Sequence, residues 1–369
     1  MAKAYFNADM VARKSAESVR NWLFNENWIL TLSCDHLLEL AQHSNEDIVV
    51  SRFRFLKTFP HLAWVKNIEQ TGIGSFLDVD CLEIQAFIDD PTQTKKSIVD
   101  RVRDQILFVG SGDELFRDSD YRLWIQLVRE SKHASPRSQS TASLLRAEPV
   151  QGLRQLKLHE FLNTGPMSKA DIKKNISRLA AVMAEQIRRH GDKRLANAEA
   201  LATEFYSQTW QHITDVQNAM ASNNGESAFI EAIAVHFGIP ARMIDFNMTV
   251  GQLGDWGHFS MMLRIYSRKL GFSLSLEAVQ PEVLPGWSLR LALSDYQNQA
   301  NNVSGSDFGD RTLACMIPYL DSCEVDKRTM DYLRRITDRN QSQFDYLSHW
   351  FKCSEFSQIP KSLLIQLGK

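Results

Sequence analysis

The chain has 369 residues, 44% of them hydrophobic and 23% charged, with a formal net charge of -2. These values exclude a disordered chain and a strongly basic field, so any nucleic-acid contact has to come from a local patch. The length suits one elaborated domain or two. The five cysteines (Cys34, Cys81, Cys315, Cys323, Cys353) form no CxxC pair, no apolar run reaches the ~18–20 residues that span a bilayer, and the opening MAKAYFNADM lacks the apolar core of a secretory signal. A soluble protein of the reducing cytoplasm, with no membrane partner, is expected.

In chain order, residues 4–6 read as a strand, 12–25 as a helix, 28–33 as an apolar strand, 36–43 and 47–59 as helices, 63–66 as a short strand and 74–88 as a helix. This alternation favours an α/β class. Asp35 and Glu39 lie four apart on one face of the helix that follows the second strand. Glu83 reads as a solvated helix residue.

From about residue 95 to 298 the pattern becomes helical, with almost no strand signal. The clearest helix covers 168–190, opened by Ser168 and Asp171 as a capping box, with Ile172, Ile176, Leu179, Met183 and Ile187 on one stripe and Gly191 placed to stop it. Lys173, Lys174 and Arg178 form a basic group on it, a candidate nucleic-acid face or simply the solvated side of a surface helix. Arg264, Arg268 and Lys269 form a second basic set. GDWGHF at 254–259 reads as a turn, with His258 structural, and the Ser-rich stretch 130–143 reads as a loop.

After a turn-rich junction at 298–309, Asp310 is expected to open a short helix with Leu313, Ala314 and Ile317, Pro318 to stop it, and 319–325 to form a buried strand delivering Asp326 to its exit. Asp321, at the other end of that strand, suits a partner such as Arg311 or Lys327. The economical organisation is an α/β domain in two pieces, residues 1–90 and 299–369, forming one sheet and interrupted by a helical insertion at 95–298 that could carry a protein partner.

A strand running into Ser33, Glu39 six residues later, and Asp310 and Asp326 far downstream together resemble the PIN-domain family of metal-dependent ribonucleases. The segment YFNADMV at 5–11 resembles that family's opening Asp-x-Asn with the two residues exchanged, Asn7 and Asp9. The resemblance implies a PIN-like parallel sheet and an endoribonuclease of toxin or stress-response style. It implies that Asp9, Glu39, Asp310 and Asp326 would hold Mg²⁺ or Mn²⁺ and that RNA is the substrate; hard oxygen ligands suit these cations. The competing reading keeps the fold but loses the metal site, leaving a scaffold or binding module, because Asp at an element end is also an ordinary cap. No zinc spacing, GxSxG elbow or phosphate-binding GxxxxGK[ST] loop is present.

Overall fold

The computed structural model describes residues 10–41, 45–69, 72–116, 225–298 and 307–366, together with Met1, His43 and short pieces between 125 and 204. The chain divides into two units. Unit 1 comprises Met1–Ser135, Glu282–Leu293 and Asp310–Lys369, and unit 2 comprises Pro136–Pro281 and Ser294–Gly309.

Unit 1 opens with α1 (Met10–Asn25), β1 (Leu30–Leu32), α2 (Cys34–Ala41), α3 (Glu46–Lys57) and β2 (Leu62–Val65). It continues with α4 (Phe76–Asp89), α5 (Lys95–Ile106), β3 (Leu107–Gly110) and the single turn α6 (Gly112–Leu115). Local chemistry sets these boundaries. Asn45, Ser75, Thr94 and Ser111 cap the starts of α3 to α6 through side-chain oxygens that accept first-turn N–H groups, and Ser75 with Asp78 and Ser111 with Glu114 complete reciprocal boxes. Gly112 is dictated by close approach, since a Cβ there would lie 2.2 Å from Leu56 O and 2.9 Å from Lys57 O.

In unit 2, α7 (Gly225–Phe237) packs on α8 (Val250–Leu270), whose buried face carries Leu253, Phe259, Met262, Leu263 and Tyr266. Then α9 (Pro285–Asn298) begins in unit 1 and runs on into unit 2. The remainder is α10 (Asp307–Ala314), β4 (Ser322–Glu324), α11 (Lys327–Arg339), β5 (His349–Phe351) and α12 (Ile359–Gln366). The core of unit 1 joins distant parts of the chain: Ala16 and Val19 of α1, Leu37 of α2, Phe53 and Phe55 of α3, Leu62 of β2, Phe116, and Leu363 of α12.

The class is α/β, mostly helical with small sheets. Several expectations are corrected. In place of one parallel sheet the described residues form a three-stranded sheet of order β1-β2-β3, with β1 and β2 parallel but β3 antiparallel to β2, and a separate parallel pair of β4 with β5. β3 escaped notice because its four residues follow α5 without a breaker, so a short apolar run reads as more helix. The expected strand at 319–325 shrinks to β4, because Ile317–Tyr319 form a 3-10 turn with Pro318 in its first positions. The helix that Asp310 was expected to open begins three residues earlier, at Asp307. GDWGHF lies inside α8, where Gly257 leaves room for Phe237; a Cβ would come within 2.8 Å of that ring. Glu83 is wholly buried, not solvated. The expected strand at 4–6 and most of the helix at 168–190 lie outside the described residues. Among the described residues no helix is long and apolar enough to cross a membrane.

Candidate functional site

Two strand-to-helix turns in unit 1 border one cavity. The first leads from β1 into α2. Ser33 Oγ accepts from His36 N at 3.4 Å, and His36 Nδ1 accepts from Ser33 N at 3.1 Å, a capping box with histidine in the place that glutamate usually takes. Since Nδ1 faces an N–H, the proton of the neutral imidazole is assigned to Nε2. Burial lowers the pKa of His36, against the pull of the Glu39 charge. The Ser33 hydroxyl lies 2.9 Å from that same Nδ1 and 3.2 Å from Asp35 Oδ2, to which Phe76 N also donates at 3.0 Å. Burial raises Asp35 despite these donors, which favour its charged form. Gly74 O accepts from Cys34 N at 2.8 Å, fixing the loop before α4 against the start of α2.

The second turn leads from β4 into α11. Asp326 is the N-cap of α11 and accepts from Thr329 N at 2.7 Å. Val325 N donates to Phe351 O at 2.8 Å, extending the pairing with β5.

The cavity between these turns measures about 660 Å³, within the usual span for small-molecule pockets. Residues 27–33 and 319–326 border it without a gap. Strand side chains alternate between faces, so unbroken runs mean that the cavity meets β1 and β4 along their edges. Ala63 of β2, Leu107 and Val109 of β3, and Leu313 and Ala314 of α10 extend the wall. The ionisable groups on the wall include His36, Arg103, Asp321, Glu324 and Asp326, with Ser33 among its hydroxyls. Arg103 is a strut: its Nη2 donates to Pro318 O at 3.2 Å, Leu320 O at 2.9 Å and Ser348 Oγ at 2.8 Å. Asp321 pairs loosely with Arg103 at 3.9 Å, instead of with Arg311 or Lys327.

No protein-family model, no curated protein and no solved structure matches this chain. The site therefore rests on its own chemistry.

Of the four acids expected to share a cation, Asp326 borders the cavity, whereas Glu39 is exposed and is not on the cavity wall. Asp9 and the side chain of Asp310 lie outside the described residues, as do Lys173 and Arg178; Lys174 is exposed. Among the described residues no group of three or more His, Cys, Asp or Glu is placed to hold a metal ion. Sequence reasoning missed Arg103 and the pairing of Ser33 with His36. The S-x-x-H spacing of 33–36 was the available signal, since an imidazole acceptor at the third helical position can serve as Glu or Gln does.

Proposed function

We propose that unit 1 binds a ligand in the cavity between β1 and β4, with the turns at 33–36 and 324–326 reading its polar end and the apolar walls taking its body. The observation that carries this is the convergence of two strand-to-helix turns, at the carboxyl ends of β1 and β4, on one cavity of ligand size; carboxyl ends of strands are where α/β proteins collect ligands. A test is to fill the space with Ala63→Phe and screen nucleotides and short RNA by thermal shift. Loss of the wild-type shift in a variant that keeps its own melting transition supports the site. A shift of equal size in both proteins refutes it.

The chemistry we favour within this reading is phosphodiester hydrolysis by a PIN-like core with a helical insertion, acting as a Mg²⁺- or Mn²⁺-dependent endoribonuclease. Supporting it, Asp326 lies on the cavity wall and α10, which carries Asp310, adds Leu313 and Ala314 to that wall. When bound, such a cation would activate water and neutralise developing phosphate charge. The competing reading, binding without cleavage, draws on Asp326 already capping α11 and on Glu39 standing away from the cavity wall. RNA contact at Lys173, Lys174 and Arg178 belongs to either reading, and five free cysteines fit a reducing compartment. Incubation of the full chain with single-stranded and structured RNA, with Mn²⁺ or EDTA, separates the two. Cleavage that EDTA abolishes supports the nuclease, and RNA binding without cleavage supports the module.

A further inference from the structure

A second constellation is buried where α4 meets the start of α9, and it touches the cavity wall only through Tyr319. Asp80 and Glu83 are 1% and 0% exposed, and Arg290 and Tyr319 are 8% and 1% exposed. Gly286, the second residue of α9, has a first-turn N–H with no partner within its helix. That N–H donates to Glu83 Oε1 at 2.9 Å and Oε2 at 3.1 Å, and the Tyr319 hydroxyl donates to Oε1. Arg290 Nη2 lies 3.4 Å and 3.3 Å from the two oxygens of Asp80, and its guanidinium sits 4.4 Å from the Trp287 ring and 5.1 Å from the Phe76 ring. It is thereby held on Asp80. Glu83 is therefore a buried carboxyl whose hydrogen-bond donors are both neutral, while the guanidinium is bonded to Asp80 and the Lys95 ammonium to Ser288 Oγ, an environment that favours its protonated form.

We infer that the segment 282–293 is held in unit 1 by a proton: Glu83 is a carboxylic acid while the segment is docked, and ionising it releases the segment. This goes beyond the cavity reading and does not depend on it. Burial first, and then the Asp80 charge, push Glu83 up to about 8, against the pull of Tyr319, Gly286 and Arg290. The other titratable groups facing it are Tyr319 and Tyr346, both raised well above their ordinary value by burial, Cys315, also raised, and Lys95, lowered by burial and bonded to Ser288 Oγ at 2.6 Å. By these shifts, the phenols and the thiol stay neutral across the pH range in which Glu83 changes charge. Residues 282–293 are the part of unit 1 that the chain reaches between two stretches of unit 2, so the proton controls whether that stretch stays attached.

Docked Glu83 holds its proton more tightly than released Glu83, whose ordinary value is 4.5. Each unit of pH rise between 4.5 and about 8 therefore favours release about tenfold, and above about 8 both forms are ionised and the dependence ends. Hydrogen-exchange mass spectrometry on the full chain between pH 5.5 and 9, corrected for intrinsic exchange, tests this. In the wild type, protection of peptides spanning 282–293 should fall by about two orders of magnitude between pH 5.5 and 7.5 and level off above 8. E83Q, which keeps the acceptor and cannot ionise, should show no such slope. D80N, which removes the like charge and frees Arg290 for Glu83, should move the levelling point to lower pH, and it carries the test alone if E83Q does not fold. A wild-type slope matching that of E83Q overturns the inference. So does a slope shared equally by every peptide of unit 1, because proton uptake would then belong to global folding.

Discussion

Gly286→Ala offers a direct measure of how tightly α4 and α9 are fitted. On helix propensity alone the change should stabilise by up to ~1 kcal/mol. The structure reverses that sign. A Cβ at 286 would lie 2.7 Å from Glu83 Oε1, closer than a carbon can approach without something shifting. Glu83 cannot move aside without losing the Gly286 N–H at 2.9 Å and 3.1 Å and the Tyr319 hydroxyl, each then a buried donor left unsatisfied. At roughly 1–3 kcal/mol per stranded donor the loss is about 2–6 kcal/mol, which outweighs the propensity gain and leaves a net destabilisation of about 3 kcal/mol. Urea unfolding at pH 7, followed by far-UV circular dichroism, provides the measurement. Repeating the change in an Glu83→Ala background removes the collision, so the two substitutions should couple by about 2 kcal/mol or more. A Gly286→Ala protein as stable as the wild type, or more so, would refute the reasoning.

Other outcomes follow from the same geometry. Asp326→Asn preserves a good N-cap and should change stability little, whereas Asp326→Ala should cost about 1 kcal/mol; if Asp326 also holds a cation, Asp326→Asn will abolish RNA cleavage at unchanged melting temperature. His36 has a lowered pKa when folded, so the unfolded chain binds more protons below pH 6.5 and the native state should lose stability as pH falls through that value; His36→Gln, which retains an acceptor for Ser33 N, should flatten that acid slope in chemical denaturation. Gly112→Ala drives a Cβ into the Leu56 carbonyl and should destabilise by about 1–3 kcal/mol, read by thermal melting.

Much of the N-terminal half was legible because its signals are local. Apolar periodicity placed α1 to α4, β1 and β2 within a few residues of their observed ends, since the spacing of apolar residues is a local signal. Long-range consequences were not legible. Glu83 reads as solvent-facing because charged residues usually are, although Val79, Cys81, Ile84 and Ala86 surround it with apolar positions, and a helix apolar on all sides is a buried one. Its partners Gly286 and Tyr319 lie about 200 residues or more away, and no local pattern announces them. In the candidate site, Asp326 was expected at a strand exit and lies two residues beyond β4 as the N-cap of α11, but spacing could not separate a capping carboxylate from a metal ligand, since both need the same oxygen at the same place. Arg103 reads as one more charge on the surface of α5, and its role as a strut depends on carbonyls more than 200 positions downstream.

Unit 1 is assembled from three stretches of chain, and this has a consequence during synthesis. After Ser135 leaves the ribosome, some 175 residues must be made before Asp310 follows. At roughly 5–20 residues per second that delay is about 9–35 s, far longer than a helix or a hairpin takes to form. Throughout it, α1 to α3 and the sheet β1-β2-β3 exist without Leu363, and Glu83 exists without Tyr319. The nascent chain must therefore carry an unfinished apolar surface for many seconds, a window in which chaperone capture and aggregation compete before the last stretch of unit 1 arrives.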